Sequence, residues 1–140
     1  MDKRIIYPND DGGVSVMTPT SEALETMTIE EIAAKDVPSG KPYQIVDFAD
    51  IPSDRAFRNA WFVEGNGIGH NHEKCCDITK ERLRAERAPL LAAQDVAYMR
   101  AQEAGASTAA IVAEKQRLRD VTKLVTADLS LDALKMLKAV

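Results

Sequence analysis

Residues 77–105 read DITKERLRAERAPLLAAQDVAYMRAQEAG, and this stretch decides the fold. It is the longest helical pattern in the chain. Ile78, Ala85, Ala92 and Met99 recur every seven residues, and Leu83, Leu90, Ala97 and Ala104 form a parallel row. That period lays both rows along one side of a helix. Leu91, Val96 and Tyr98 widen the stripe. Asp77 or Thr79 suits a cap or first turn. Gly105 suits the left-handed position that closes a helix. Pro89 has no N–H to donate, so the pattern predicts a bend near residues 85–89 or two helices abutting there.

Downstream, Ile111, Leu118 and Val125 are again seven apart, with Val121 between them and Arg117 and Arg119 on the polar side. Two such helices joined by the short turn at Ala104–Thr108 make an antiparallel hairpin. Ser130 then caps a short helix carrying Leu131, Leu134 and Leu137.

Upstream, the period changes. KRIIY (3–7) and VSVM (14–17) flank the turn signal Pro8–Gly13 and predict a β-hairpin, with Gly12 and Gly13 at positive φ. Thr20–Leu24 suits a short helical turn. Thr28 with Glu31 three residues on fits a capping box, with Met27 and Ile32 as its staple, for a helix that stops before Pro38. Tyr43–Asp47 and Phe57–Val63 suggest two further strands, although Ser53 or Asp54 could also cap a short helical turn at the second. Gly65, Gly67 and Gly69 suggest a flexible linker. The expected architecture is α+β: a small mixed β lobe with one short helix (1–64), a Gly-rich linker with a His/Cys cluster (65–76), and a helical hairpin plus a short terminal helix (77–140).

The 140 residues suit one domain or two small lobes. Aromatic residues make up only 5%, with a single Trp61, so the core is modest and open to completion by partners. A net charge of −4, with basic and acidic residues interspersed, argues against nucleic acid as a partner. No run approaches the ~18 apolar residues that span a bilayer, so no membrane role is expected. MDKRIIYPNDDGG lacks the apolar core of a secretory signal, which implies cytoplasmic synthesis and reduced thiols.

The most unusual chemistry is His70-Asn71-His72-Glu73-Lys74-Cys75-Cys76-Asp77. His70, His72, Cys75 and Cys76 are zinc-ligand types, but they crowd together instead of forming two spaced pairs. Adjacent cysteines strain any bond between themselves, so Cys75 and Cys76 could instead link to a neighbouring copy or another protein. The plainer reading is two thiols near a helix start, made more reactive by that position. A Cys beside a His can act as nucleophile and base, yet no oxyanion motif and no third orienting group stand out, so no enzyme and no cofactor are expected. Asp50, Asp54 and Arg55, with Trp61 nearby, could contact a partner. Turn chemistry is the plainer account of the acids.

The segments VPSGKPYQIVD (37–47), IPSDRAFRNAW (51–61) and RAPLLAAQDVAYMRA (87–101) carry a resemblance. Together with RIIYPNDDGGVSVMTP, they make the chain similar to a group of small proteins encoded among the tail and tail-fibre genes of tailed bacteriophages and prophages. The resemblance covers nearly the whole chain. It implies a virion structural protein associated with the tail, collar or fibre, made in the host cytoplasm. Its partners would be other phage structural proteins, in a homo-oligomer or symmetric assembly. Two alternatives stay open: a tail-fibre assembly chaperone absent from the mature particle, and a small metal-binding protein. The sequence departs from the group's pattern at His70–Cys76. That makes the double cysteine a private feature and favours its disulfide reading over a catalytic one.

Overall fold

A computed structural model describes residues 2–65 and 67–140. The chain divides into two compact units, residues 1–71 and 72–140. The architecture is α+β, with a small antiparallel β unit first and a helical unit after it.

The first unit is built around the Ile5-Ile6 pair. Strand β1 (Lys3–Pro8) is central in a three-stranded sheet of order β2-β1-β3, between β2 (Val14–Met17) and β3 (Gln44–Asp47). Side chains alternate across a strand, so Ile5 and Ile6 point to opposite faces, and both are fully buried. Ile5 packs with Ile32, Ala33 and Val37, which belong to helix α2 (Ile29–Asp36) and its exit. Ile6 packs with Val14, Val46 and Trp61 on the other face. Trp61 opens β4 (Trp61–Glu64), which pairs antiparallel with β5 (Gly67–His70). The sheet is therefore covered on both sides, by helix and by hairpin.

Local chemistry sets these elements. In the β1–β2 turn, Asn9 Oδ1 accepts from the amides of Asp11 at 3.0 Å and Gly13 at 2.9 Å. Only Gly12 takes positive φ there, at 80°, so the expectation for Gly13 is corrected: Asn9 does that part of the folding of the turn. The capping box at the start of α2 is present. Thr28 Oγ1 accepts from the Glu31 amide at 3.2 Å, and a Glu31 carboxylate oxygen accepts from the Thr28 amide at 2.8 Å. Met27 packs beside Ile32 as a staple requires. Thr20 caps a further short helix, α1 (Ser21–Thr26).

Three expectations change. Among the described residues every strand pairing is antiparallel, so the lobe is not a mixed sheet. The segment from Phe57 combines the two readings: a short helical turn, a 3-10 turn over Arg58–Ala60 with Phe57 and not Ser53 or Asp54 at its cap position, and then the strand from Trp61. The glycine run is not a linker. Gly67 and Gly69 lie in β5, opposite Glu64 and Phe62, while Asn66 falls outside the described residues. A Cβ on Gly69 would stand 2.8 Å from the tip of the Phe62 ring and 2.6 Å from the Glu64 carboxyl carbon. The glycine is there for close cross-strand packing, not flexibility.

The second unit begins at His72, the first residue of helix α3 (His72–Glu103), five residues before the expected start. The helix runs unbroken through Pro89, so two abutting helices are excluded. Its end is a Schellman closure: the Ala106 amide donates to Ala101 O at 2.8 Å, the Gly105 amide to Gln102 O at 3.1 Å, and Gly105 has φ 65°. Helix α4 (Ala109–Asp120) returns antiparallel and runs into a 3-10 turn over Val121–Leu124. Helix α5 (Leu131–Met136) follows, with Ser130 Oγ accepting from the Ala133 amide at 3.1 Å.

Buried side chains gather at one end of this unit. Cys75, Thr79 and Leu83 are buried on α3, which packs against α4, the 3-10 turn and α5, where Leu118, Val121 and Leu134 are buried; Val125 and Ala139 are buried as well. Three arginines hold this end together through backbone carbonyls of the later segments. Arg82 donates to Leu134 O at 3.0 Å, Arg87 to Arg119 O at 2.7 Å, and Arg117 to Ala139 O at 2.9 Å.

Beyond that end the hairpin changes character. Between Arg84 and Arg117 no residue is buried. Of the two expected rows on α3, Leu83, Leu90 and Ala97 are buried or half-buried and Ala104 is exposed, while Ala85, Ala92 and Met99 are exposed and Ile78 is half-buried. Val96 and Val112 are also open to solvent. Two alanine-rich helices with no third element above them cannot enclose a side chain. Lys115 fastens the pair, reaching Asp95 at 2.6 Å and lying 5.3 Å from the Tyr98 ring centre.

Candidate functional site

The His/Cys cluster is divided by the fold. His70 ends β5 in the first unit, with its ring edge-on to Trp61 at 6.4 Å between centres. His72, Cys75 and Cys76 lie in the first turns of α3. Among the described residues no group of three or more His, Cys, Asp or Glu side chains converges as a metal site would. The four-ligand set His70, His72, Cys75 and Cys76 is therefore corrected: His70 ends a strand of the first unit, and the other three lie on a helix of the second.

The two cysteines part in the same way. Successive residues on a helix point about 100° apart. Cys75 is fully buried beside Thr79, whose hydroxyl donates to Cys75 O at 2.8 Å. Burial, and secondarily the neighbouring Cys76, push the Cys75 thiol above its ordinary pKa. A thiol so enclosed neither reaches another chain nor reacts readily, which corrects the expectation of an intermolecular bond through Cys75. Cys76 is half-buried and free.

His72 lies one helical turn before Cys76 and faces it. Its Nε2 is 2.6 Å from the carbonyl oxygen of Leu129. A carbonyl only accepts, so Nε2 carries the proton. In the neutral ring Nδ1 is then the acceptor. That nitrogen is 3.7 Å from Cys76 Sγ. The arrangement is a thiol, an imidazole and a backbone oxygen that fixes the tautomer. It supplies the orienting group that the sequence did not reveal. The pair opens on a cleft of about 420 Å³, walled by Glu73, Asp77 and Lys80 of α3 and by residues 125–127.

The partner-contact set also divides. Trp61 is 1% exposed and sits in the core, so it is no contact residue. Arg58 lies over its ring at 4.5 Å and Arg55 at 5.7 Å. Arg58 also donates to Val14 O at 2.6 Å, and burial, then the charge of Arg55, lowers its pKa. Asp54 accepts from the Ala56 amide at 2.9 Å, as a turn-forming aspartate does. Asp50 and Arg55 remain exposed and line a cleft of about 570 Å³ with Phe48, Ile51 and Ser53.

No family model, no curated protein and no solved structure matches this chain. Among the described residues no helix is long and apolar enough to cross a membrane.

Proposed function

We propose that this chain is a structural component of a tailed bacteriophage particle, in the tail, collar or fibre region, and acts through protein–protein contact. The observation that carries the contact reading is the hairpin between Arg84 and Arg117, which has no buried residue and leaves Val96, Met99 and Val112 open. Apolar side chains on a two-helix layer gain stability when another surface covers them. The placement in a virion rests on the resemblance of residues 37–47, 51–61 and 87–101 to small tail-region proteins. In a symmetric assembly, repeated weak contacts of this kind add to a firm attachment.

Mass spectrometry of purified virions tests the proposal. The chain is expected in the particle at stoichiometric copy number. Its presence in infected cells and absence from particles overturns the structural role in favour of an assembly chaperone. The small metal-binding reading is not carried further, since no ligand group assembles among the described residues.

A further inference from the structure

We propose that Cys76 and His72 form a thiol-exchange site that accepts a small, zwitterionic aliphatic disulfide in the cleft between α3 and residues 125–127.

Three features carry this together. The first is the dyad. Cys76 Sγ stands 3.7 Å from His72 Nδ1, and the bond from Nε2 to Leu129 O at 2.6 Å keeps the Nδ1 lone pair available. A nucleophile beside a base, with the base oriented by a third group, is the arrangement that activates a thiol. The second is access. Cys76 and His72 both line an open cleft of about 420 Å³, a volume in the range of small-ligand sites (roughly 300–1,000 Å³). The third is charge. Glu73 and Asp77 bring carboxylates to the cleft wall and Lys80 brings an ammonium, while residues 125–127 add no charged side chain. A ligand carrying both amino and carboxylate groups fits such a mixed lining. A protein disulfide needs a protruding loop to reach the same sulfur.

The step balances as an exchange. The Cys76 S–H passes its proton to His72 Nδ1. The thiolate attacks one sulfur of R–S–S–R′, the Cys76–S–S–R bond forms, and the R–S to S–R′ bond breaks. The leaving thiolate R′–S⁻ takes the proton from His72 and departs as a thiol. The disulfide is the oxidant, so no other is needed. Cys75, one residue away and fully buried, takes no part.

The test treats the full chain with glutathione disulfide under native conditions and follows intact mass, with peptide mapping. One glutathione per chain is expected, on Cys76, with Cys75 free, and removable by a thiol reductant. His72→Gln keeps a donor for Leu129 O but removes the proton acceptor. Its exchange rate near neutral pH is expected to fall about tenfold or more, within the range for loss of a positioned base. Its rate is also expected to need higher pH than that of the wild type. The idea is overturned if Cys75 reacts first, if Cys76 stays unmodified, if the product is a disulfide-linked dimer of the chain, or if folded His72→Gln reacts as fast as wild type across the pH range. Should His72→Gln not fold, the preference for Cys76 over Cys75 in the wild type decides alone.

Discussion

Leu83→Ala asks whether the helical unit is held at one end only. Leu83 is fully buried on α3, which packs against the elements that carry the buried Leu118, Val121 and Leu134. Truncation removes three carbons, worth about 2.4 kcal/mol of transfer at about 0.8 kcal/mol each. The cavity adds to that, and alanine's slightly better helix propensity returns roughly 0.2 kcal/mol. A loss of about 3 kcal/mol results, within the measured span of roughly 2–5 kcal/mol for such sites. For a unit of this size, each kcal/mol moves Tm by about 4–8 °C, so a drop of roughly 12–24 °C is expected. Met99→Ala is the control: Met99 lies on the same helix but is 55% exposed, and its loss is expected to stay within about 0.5 kcal/mol. Thermal and denaturant unfolding followed by far-UV circular dichroism reads both variants, because α3 supplies much of the helical signal. Equal losses in the two variants would refute the reasoning, since the hairpin would then be packed along its whole length. So would a Leu83→Ala loss below about 1 kcal/mol.

Other expectations are as direct. Thr28→Ala removes one half of the capping box and is expected to cost about 1 kcal/mol in chemical denaturation, with Glu31→Gln costing less because an amide oxygen still reaches the Thr28 amide. Cys75→Ser places a hydroxyl where a buried thiol sat and is expected to cost about 1–3 kcal/mol, whereas Cys76→Ser stays within about 0.5 kcal/mol. Asp10 has its pKa lowered by the hydrogen bond and charge of Lys41, 2.7 Å away. A lowered folded-state value means that the pair's contribution is present above the ordinary carboxylate range and is lost as pH falls through the lowered value. Carboxyl titration by NMR should therefore show Asp10 rising toward its ordinary value in Lys41→Met. Trp61 is the only tryptophan and is 1% exposed, so its emission should be blue-shifted and poorly quenched by acrylamide until the first unit unfolds.

The parts of the fold legible in the sequence were those where one short stretch holds its own reasons. The capping box needs only Thr28 and Glu31, and the C-terminal stop of α3 needs only Gly105. Both appear where the residues put them. The glycine run misled because Gly-x-Gly-x-Gly carries two physical meanings. Flexibility is one, and room for a facing side chain is the other. Only the cross-strand partner Phe62 decides, and its register against Gly69 is a tertiary fact. The rows on α3 posed a similar choice. Both Leu83-Leu90-Ala97 and Ala85-Ala92-Met99 repeat every seven residues, and only the position of α4 selects the first. Pro89 marked a break, yet the helix continues, because an imide nitrogen removes one bond to Ala85 O from a ladder that 32 residues sustain.

The candidate site shows why adjacency in sequence was a poor guide to chemistry. His70 and His72 are separated by one residue and belong to different units. Cys75 and Cys76 are neighbours, but one helical step gives them opposite environments, a sealed core and an open cleft. What joins His72 to Cys76 is the four-residue spacing of a helix that begins earlier than the apolar stripe indicated. The aspartate and threonine at 77 and 79 suggested a cap, and they drew the start past the histidine. What orients His72 is a carbonyl 57 residues downstream, a backbone atom that no side-chain pattern could mark. A double mutant of both cysteines would therefore merge two unrelated effects, one on packing and one on reactivity. Single substitutions separate them: Cys75→Ser should lower stability and leave exchange at Cys76 intact, and Cys76→Ser should abolish exchange and leave stability intact. Loss of both properties in either single variant would mean that the two thiols share one environment, contrary to the geometry of α3.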